Sequence, residues 1–159
     1  MSFEKLLSEN KIEKVEKNEF KLESVNKDLE FAEKGLETSN YDRVMAVVYE
    51  GVLKAGNKLM NFLGYRAIGK EHHKNMFEFL RKIEINQNLV RYFDNIRKKR
   101  NDFVYRDIEI ILKEEAKEII EKAKEFVQEI RTFVQENRTD GNEQFSRGND
   151  KIKLKGDGK

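Results

Sequence analysis

The 159-residue chain contains no cysteine and no proline, and its two histidines are His72 and His73. Without cysteine it has no disulfide, no thiolate metal ligand and no cysteine nucleophile, and two histidines exclude a multi-histidine metal site within one chain. Average usage would give about eight prolines, so their absence favours uninterrupted helices. The longest wholly apolar run, residues 44–49, is far too short to span a membrane. We therefore expect a cytoplasmic, mainly helical protein.

Charge is abundant but balanced, because the chain has 32 basic and 30 acidic residues. Residues 1–136 carry 26 charges of each sign, so any nucleic-acid-binding surface must be local rather than global. Residues 137–159 contain four of the nine glycines and few large apolar residues. Such a segment cannot bury enough surface to offset the entropy of ordering it. We predict that 137–159 is a disordered, basic-leaning tail, that 18–136 is the folded bundle, and that 1–17 is a short helical extension that docks loosely.

Apolar residues recur at intervals of three and four along most of the chain, which is typical of helices with one buried face. The spacing predicts helices near residues 22–36, 41–63, 76–83, 87–105 and 108–136. We expect an all-α protein, an antiparallel up-down bundle of four to five helices. Residues 41–63 are apolar on most sides, which predicts the central helix, and Gly64 is a natural stop for it. Residues 65–70 are predicted to form a loop.

The last predicted helix carries a heptad-like seam of apolar residues from Leu112 to Phe133. A seam of this kind either closes the bundle of one chain, extends to a second chain, or does both. The alternation alone does not distinguish these arrangements.

Arg100 fits the helical pattern least well. It falls within an apolar stripe, at about 20° from the stripe's first residue when each residue turns the helix by about 100°. That stripe consists of Leu89, Phe93, Ile96 and Phe103. A buried arginine is costly unless it is paired or lines a wet cleft, and Glu50 on the central helix is the candidate partner. The alternative is a bent or shortened helix that releases Arg100 into solvent.

Two stretches resemble the HEPN superfamily. The segment 100–105, RNDFVY, is similar to the HEPN motif of an arginine, usually a polar residue, and then a histidine after four to six positions. The segments 39–66, SNYDRVMAVVYEGVLKAGNKLMNFLGYR, and 69–80, GKEHHKNMFEFL, are similar to the upstream helices of HEPN proteins. The resemblance covers about residues 18–135.

The resemblance implies a two-fold homodimer in which the motifs of both chains face a shared cleft. Many HEPN proteins are metal-independent ribonucleases, often toxins paired with a nucleotidyltransferase antitoxin, and others are non-catalytic binding modules. Carried over by position, the resemblance implies site roles for Arg100, Asn101 and Tyr105, with Tyr105 where the histidine belongs. It implies no cofactor and no metal.

The tyrosine changes the chemistry that the motif can support. A metal-free cleavage needs a base of near-neutral pKa and a cation for the developing charge. Ionising an ordinary tyrosine at pH 7 costs about 4 kcal/mol, which is roughly a thousandfold. Tyr105 can still donate a hydrogen bond to a phosphate or stack on a base, so binding survives the replacement more easily than cleavage. If a nucleotidyltransferase partner modifies the chain, Tyr105 is the available hydroxyl.

Other polar residues have an ordinary interpretation beside a functional one. For Arg97, Lys98, Lys99 and Arg106 a solvated basic patch is the favoured interpretation, and phosphate contact is the alternative. His72 and His73 are expected to have a capping or packing role. Two functions remain open at this point: a HEPN-like homodimer that binds RNA or nucleotide in an inter-subunit cleft, and a non-catalytic interaction bundle in which Arg100 is an internal ion pair.

Overall fold

A computed structural model describes residues 3–103 and 111–138, the side chains of 101–103 excepted. The described chain forms α1 (Glu4–Ser8), β1 (Ile12–Lys14), α2 (Glu23–Gly35), a 3-10 turn (Leu36–Thr38), α3 (Tyr41–Leu63), β2 (Tyr65–Ala67), α4 (His72–Leu80), α5 (Gln87–Phe103) and α6 (Lys113–Arg138). Apart from residues 137 and 138, at the end of α6, the predicted disordered tail lies outside the described residues. Among the helices described, none combines the length and apolar character needed to cross a membrane.

The predicted all-α class is confirmed, with α3 as the central helix. α3 packs against α2, α4 and α6 and is buried on most of its circumference. It ends at Gly64, which adopts the left-handed φ of 94°. A glycine suits this position because other residues rarely take a positive φ. The predicted bounds of α3 therefore match the observed ones.

The N-terminal segment is part of the core rather than a loosely docked extension. Phe3, Leu6 and Ile12 are buried, and the ring of Phe3 stacks on that of Phe79 with centroids 4.3 Å apart. Strand β1 pairs antiparallel with β2, placing Ile12 opposite Ala67. The prediction of a simple loop at 65–70 is thus wrong for its first three residues, because strands of three residues are too short to show an alternating pattern.

Helix α6 closes the bundle of its own chain. Apart from Leu112, which is exposed just before the helix, the predicted seam is buried within this chain. The buried residues of α6 are Ala116, Ile119, Ile120, Ala123, Phe126, Val127, Ile130, Phe133 and Val134. Phe126 also packs against Phe93 of α5, with ring centroids 5.5 Å apart. These contacts fix the orientation of α5 between α4 and α6, and with it the candidate site.

Candidate functional site

The second half of α5 directs Arg100 towards the central helix. The guanidinium carbon of Arg100 lies 5.0 Å from the centroid of the Tyr49 ring, within the range of a cation–π contact. The Arg100 side chain is half-buried, because it lies on the same helical face as Phe93, which is buried two turns earlier. The alternative in which Arg100 is released into solvent is therefore not observed.

Arg100 does not pair with Glu50, so that prediction is wrong. Glu50 is exposed, and among the described residues no carboxylate forms an ion pair with Arg100. Successive residues of a helix point about 100° apart. Since Tyr49 faces Arg100, its neighbour Glu50 projects towards the surface instead.

The buried ion pair of this region belongs to Asp94. One Asp94 oxygen, Oδ1, accepts a hydrogen bond from Arg97 Nε at 2.7 Å, and the other, Oδ2, accepts one from Arg81 just after α4. The Asp94 side chain is 3% exposed and that of Arg97 11%. A carboxylate with both oxygens engaged by guanidinium groups is a rigid structural element.

This arrangement corrects the expectation for Arg97. Lys98 and Lys99 are exposed, as a solvated basic patch requires, but Arg97 is buried because Asp94 neutralises it. The sequence signal that was missed is the spacing of Asp94 and Arg97, three residues apart and thus neighbours on one helical face. The run of four basic residues from 97 to 100 hid it.

Tyr49 is close enough to both arginines to feel their charges, and it remains protonated at neutral pH. Burial raises the pKa of Tyr49 to about 12, while the charges of Arg97 and Arg100 oppose that rise. Its hydroxyl makes no hydrogen bond to the part of the chain that is described. The hydroxyl is not fully enclosed either, because Asn137 Oδ1 is the single fully enclosed side-chain polar atom without a partner in the described part of the chain. The Tyr49 hydroxyl is therefore a donor that has no partner among the described residues and is not fully enclosed.

His73 brings an imidazole to the same neighbourhood. It is half-buried at the start of α4, and its ring centroid lies 4.2 Å from that of His72. Burial lowers the pKa of His73; the charges of His72 and Arg97 lower it further, whereas Glu50 raises it. A neutral imidazole can accept a proton. His72 Nδ1 lies 3.0 Å from the Gly69 carbonyl oxygen, a local contact of the capping kind that was expected.

The remaining predicted site residues are less completely placed. The α5 backbone puts Asn101 directly after Arg100, while Tyr105 and Arg106 lie outside the described residues. Within residues 3–103 and 111–138, no three His, Asp or Glu side chains come together as a metal site would require. The arrangement is one of arginines and a phenol, which are the donors that bind a phosphate oxyanion.

The comparison with protein families decides the assignment, because the HEPN domain model matches residues 19–133. The chain belongs to the HEPN family. Comparison with curated proteins and with solved structures gave no match. The HEPN match runs from just before α2 into α6 and includes Tyr49, Asp94, Arg97 and Arg100. It leaves out the N-terminal segment that supplies β1, although that segment packs into the same core.

Proposed function

We propose that this HEPN protein is a homodimer that binds RNA in a cleft to which each subunit contributes Arg100, Asn101 and Tyr105. The observation that carries the proposal is the state of Arg100. Its guanidinium is held over Tyr49, is half-buried, and has no acidic partner among the described residues. An arginine held in place without a carboxylate is available to bind a phosphate.

The exposed lysines beside the site add to this argument. Lys98 and Lys99 follow Arg97 on α5 and are exposed. Contacts between exposed lysines and phosphates supply the salt-dependent, sequence-independent part of nucleic-acid affinity. The bundle as a whole is close to neutral in residues 1–136, so these lysines give α5 a local rather than a general attraction for phosphate.

The alternative of a purely structural bundle assigns Arg100 to an internal ion pair. In this chain Arg97 and Asp94 form that pair, at 2.7 Å, so the fold does not need Arg100 for it. If Arg100 had a purely structural role, its replacement would lower the stability of the protein rather than its affinity for a ligand. RNA binding is therefore the function that the geometry supports best.

Cleavage requires a base in addition to the arginine. In the metal-free reaction the 2′-oxygen attacks the adjacent phosphorus and its proton passes to a base. The bond from phosphorus to the 5′-oxygen breaks, and that oxygen takes up a proton, which leaves a 2′,3′-cyclic phosphate and a 5′-hydroxyl. Tyr105 is a poor base at neutral pH, whereas His73 has a lowered pKa and is neutral there. We propose binding as the primary activity, and we take cleavage as an outcome that the same experiment decides.

The test uses the purified full chain and a labelled single-stranded RNA at low salt. We expect a dimer by light scattering at micromolar concentration and retention of the RNA by the wild type. Retention should be lost in Arg100→Gln and kept in Arg91→Gln, which removes an exposed arginine from the same helix. A monomer, or equal retention by the Arg100 variant, would refute the proposal, and shortened RNA products would add ribonuclease activity to it.

A nucleotidyltransferase is the partner that we propose from family membership. Modification of the motif region would act at Tyr105, the hydroxyl beside the arginine. Mass spectrometry of the chain after co-expression with a nucleotidyltransferase encoded next to it would show an added nucleotide on Tyr105. An unmodified tyrosine would remove this part of the proposal and leave RNA binding untouched.

A further inference from the structure

We propose that Tyr49, Arg97 and Arg100 form a pocket for a single phosphate group, and that Asp94 is the positioning residue that holds Arg97 in it. The proposal deepens the proposed function, since it takes the phosphate to be a phosphodiester of the bound RNA. Tyr49 and Asp94 lie outside the motif segment 100–105, so the pocket extends the site from α5 onto α3.

Arg97 has donors to spare after its ion pair is made. Asp94 occupies Nε of Arg97, and the two terminal amino groups have no acceptor among the described residues. A guanidinium presents five N–H donors in a fixed planar arrangement. Fixing Nε therefore fixes the direction in which the remaining four N–H bonds point, and this is the positioning role of Asp94.

The arginines of this cluster outnumber its buried carboxylate. Asp94 is a single carboxylate, and it is shared by Arg97 and Arg81. Arg100 adds a further cation without any carboxylate partner in the described chain. Beside Tyr49 the charges of Arg97 and Arg100 are opposed by those of Asp94 and Glu50. Glu50 is exposed, so Asp94 is the one buried carboxylate, among the described residues, that balances the two arginines.

Tyr49 connects the two cations. Arg100 stacks on its ring at 5.0 Å, and both Arg97 and Arg100 act electrostatically on its phenol. The side chain is 4% exposed, yet its hydroxyl has no partner among the described residues. A donor close to two guanidinium groups suits a phosphate oxygen, and hydrogen bonds to a charged acceptor in a partly dehydrated site are strong.

The decisive variant is Tyr49→Phe, which removes the hydroxyl and keeps the ring beneath Arg100. We expect it to weaken binding of a labelled single-stranded RNA by about tenfold, the effect of losing one hydrogen bond to a charged group. Arg97→Lys should weaken binding by at least as much, because the single ammonium group of lysine cannot bond to Asp94 and also present a planar pair of donors. Arg91→Gln, which removes an exposed cation from the same helix, should change the affinity by no more than about twofold.

The outcomes separate this proposal from the proposed function. If Tyr49→Phe and Arg97→Lys bind RNA as the wild type does while Arg100→Gln does not, the pocket is refuted and RNA binding stands. If the wild type binds no RNA, the proposed function fails first. Thermal unfolding followed by circular dichroism serves as the folding control, and Tyr49→Phe keeps the test valid should Arg97→Lys fail to fold.

Competition identifies the source of the phosphate. Inorganic phosphate should displace the RNA weakly, and it should do so less effectively from Tyr49→Phe. Adenosine monophosphate that displaces RNA no better than inorganic phosphate supports a phosphodiester as the ligand. Displacement at far lower concentrations of the nucleotide would overturn RNA as the ligand and assign the pocket to a free nucleotide.

Discussion

Replacing Asp94 by asparagine tests whether its pairing holds the site together. The Asp94 carboxylate is 3% exposed and bonded to Arg97 and Arg81. Asp94→Asn keeps the shape, removes the charge, and leaves Arg97 as a buried cation without a counter-charge. Breaking a buried pair in this way typically costs about 3–5 kcal/mol. For a domain of this length that cost corresponds to a fall in the unfolding midpoint of roughly 6–20 °C.

Asp28→Asn is the matched control, because it is the same substitution in an ion pair near the surface. Asp28 lies 2.8 Å from Lys54, and their side chains are 24% and 43% exposed. A pair of this kind contributes about 0–1 kcal/mol. Urea unfolding followed by circular dichroism, at low and at high salt, compares the two variants.

We expect the large loss in Asp94→Asn to persist at high salt, because salt screens buried pairs poorly. The small loss in Asp28→Asn should shrink as salt is added. If the two variants differ by less than about 1 kcal/mol, then the burial of Asp94 does not have the energetic consequence assigned to it here.

Three further predictions concern pH and packing. Burial raises the pKa of Tyr49 from 10.0 to about 12, so the phenol ionises in the unfolded chain before it does in the folded one. Between about pH 9 and pH 12 the wild type should therefore lose about 3 kcal/mol more unfolding free energy than Tyr49→Phe, and equal losses would contradict the burial of Tyr49. The pKa of His73 is lowered from 6.5 in the folded chain, so the neutral imidazole stabilises the fold above pH 6.5, and this stability is lost as the pH falls from 6.5 through the folded pKa. Acid should therefore destabilise the wild type more than His73→Gln, and a His73 imidazole that titrates above 6.5 by NMR would contradict the lowered pKa. Gly56→Ala places a Cβ 2.5 Å from Met76 Sδ and should lower the unfolding free energy by about 1–3 kcal/mol. Gly51→Ala, whose Cβ meets nothing closer than 3.5 Å, should raise the unfolding free energy by up to about 1 kcal/mol, and the opposite order in thermal unfolding would refute the packing of α3 on α4.

Helical periodicity was sufficient to predict the central helix and the direction of Arg100. The bounds of α3 and the turn at Gly64 follow from the spacing of apolar residues and a single glycine. The angle of Arg100 within the stripe of α5 predicted that its guanidinium faces the bundle, and it lies over Tyr49. These features depend on the local sequence alone, which is why the sequence reveals them.

Features that depend on distant parts of the chain could not be predicted in this way. Arg97 lies about 80° from the start of the α5 stripe, at its edge, where a neighbouring element decides whether a side chain is buried. The neighbour is Arg81, which follows α4 and shares Asp94 with it. Strand β1 pairs with β2 across more than fifty residues, and no local pattern reports a partner so far away. The burial of Arg97 thus depends on tertiary packing and not on its own helix alone.

The salt dependence of RNA affinity in the wild type and in Arg100→Gln tests the central claim most directly. If Arg100 binds a phosphate, the variant should bind single-stranded RNA more weakly at every salt concentration, and the slope of log affinity against log salt should fall by about 0.7 for the one lost contact. Arg91→Gln should follow the wild type. Superimposable curves for the wild type and Arg100→Gln would show that the guanidinium over Tyr49 takes no part in RNA binding.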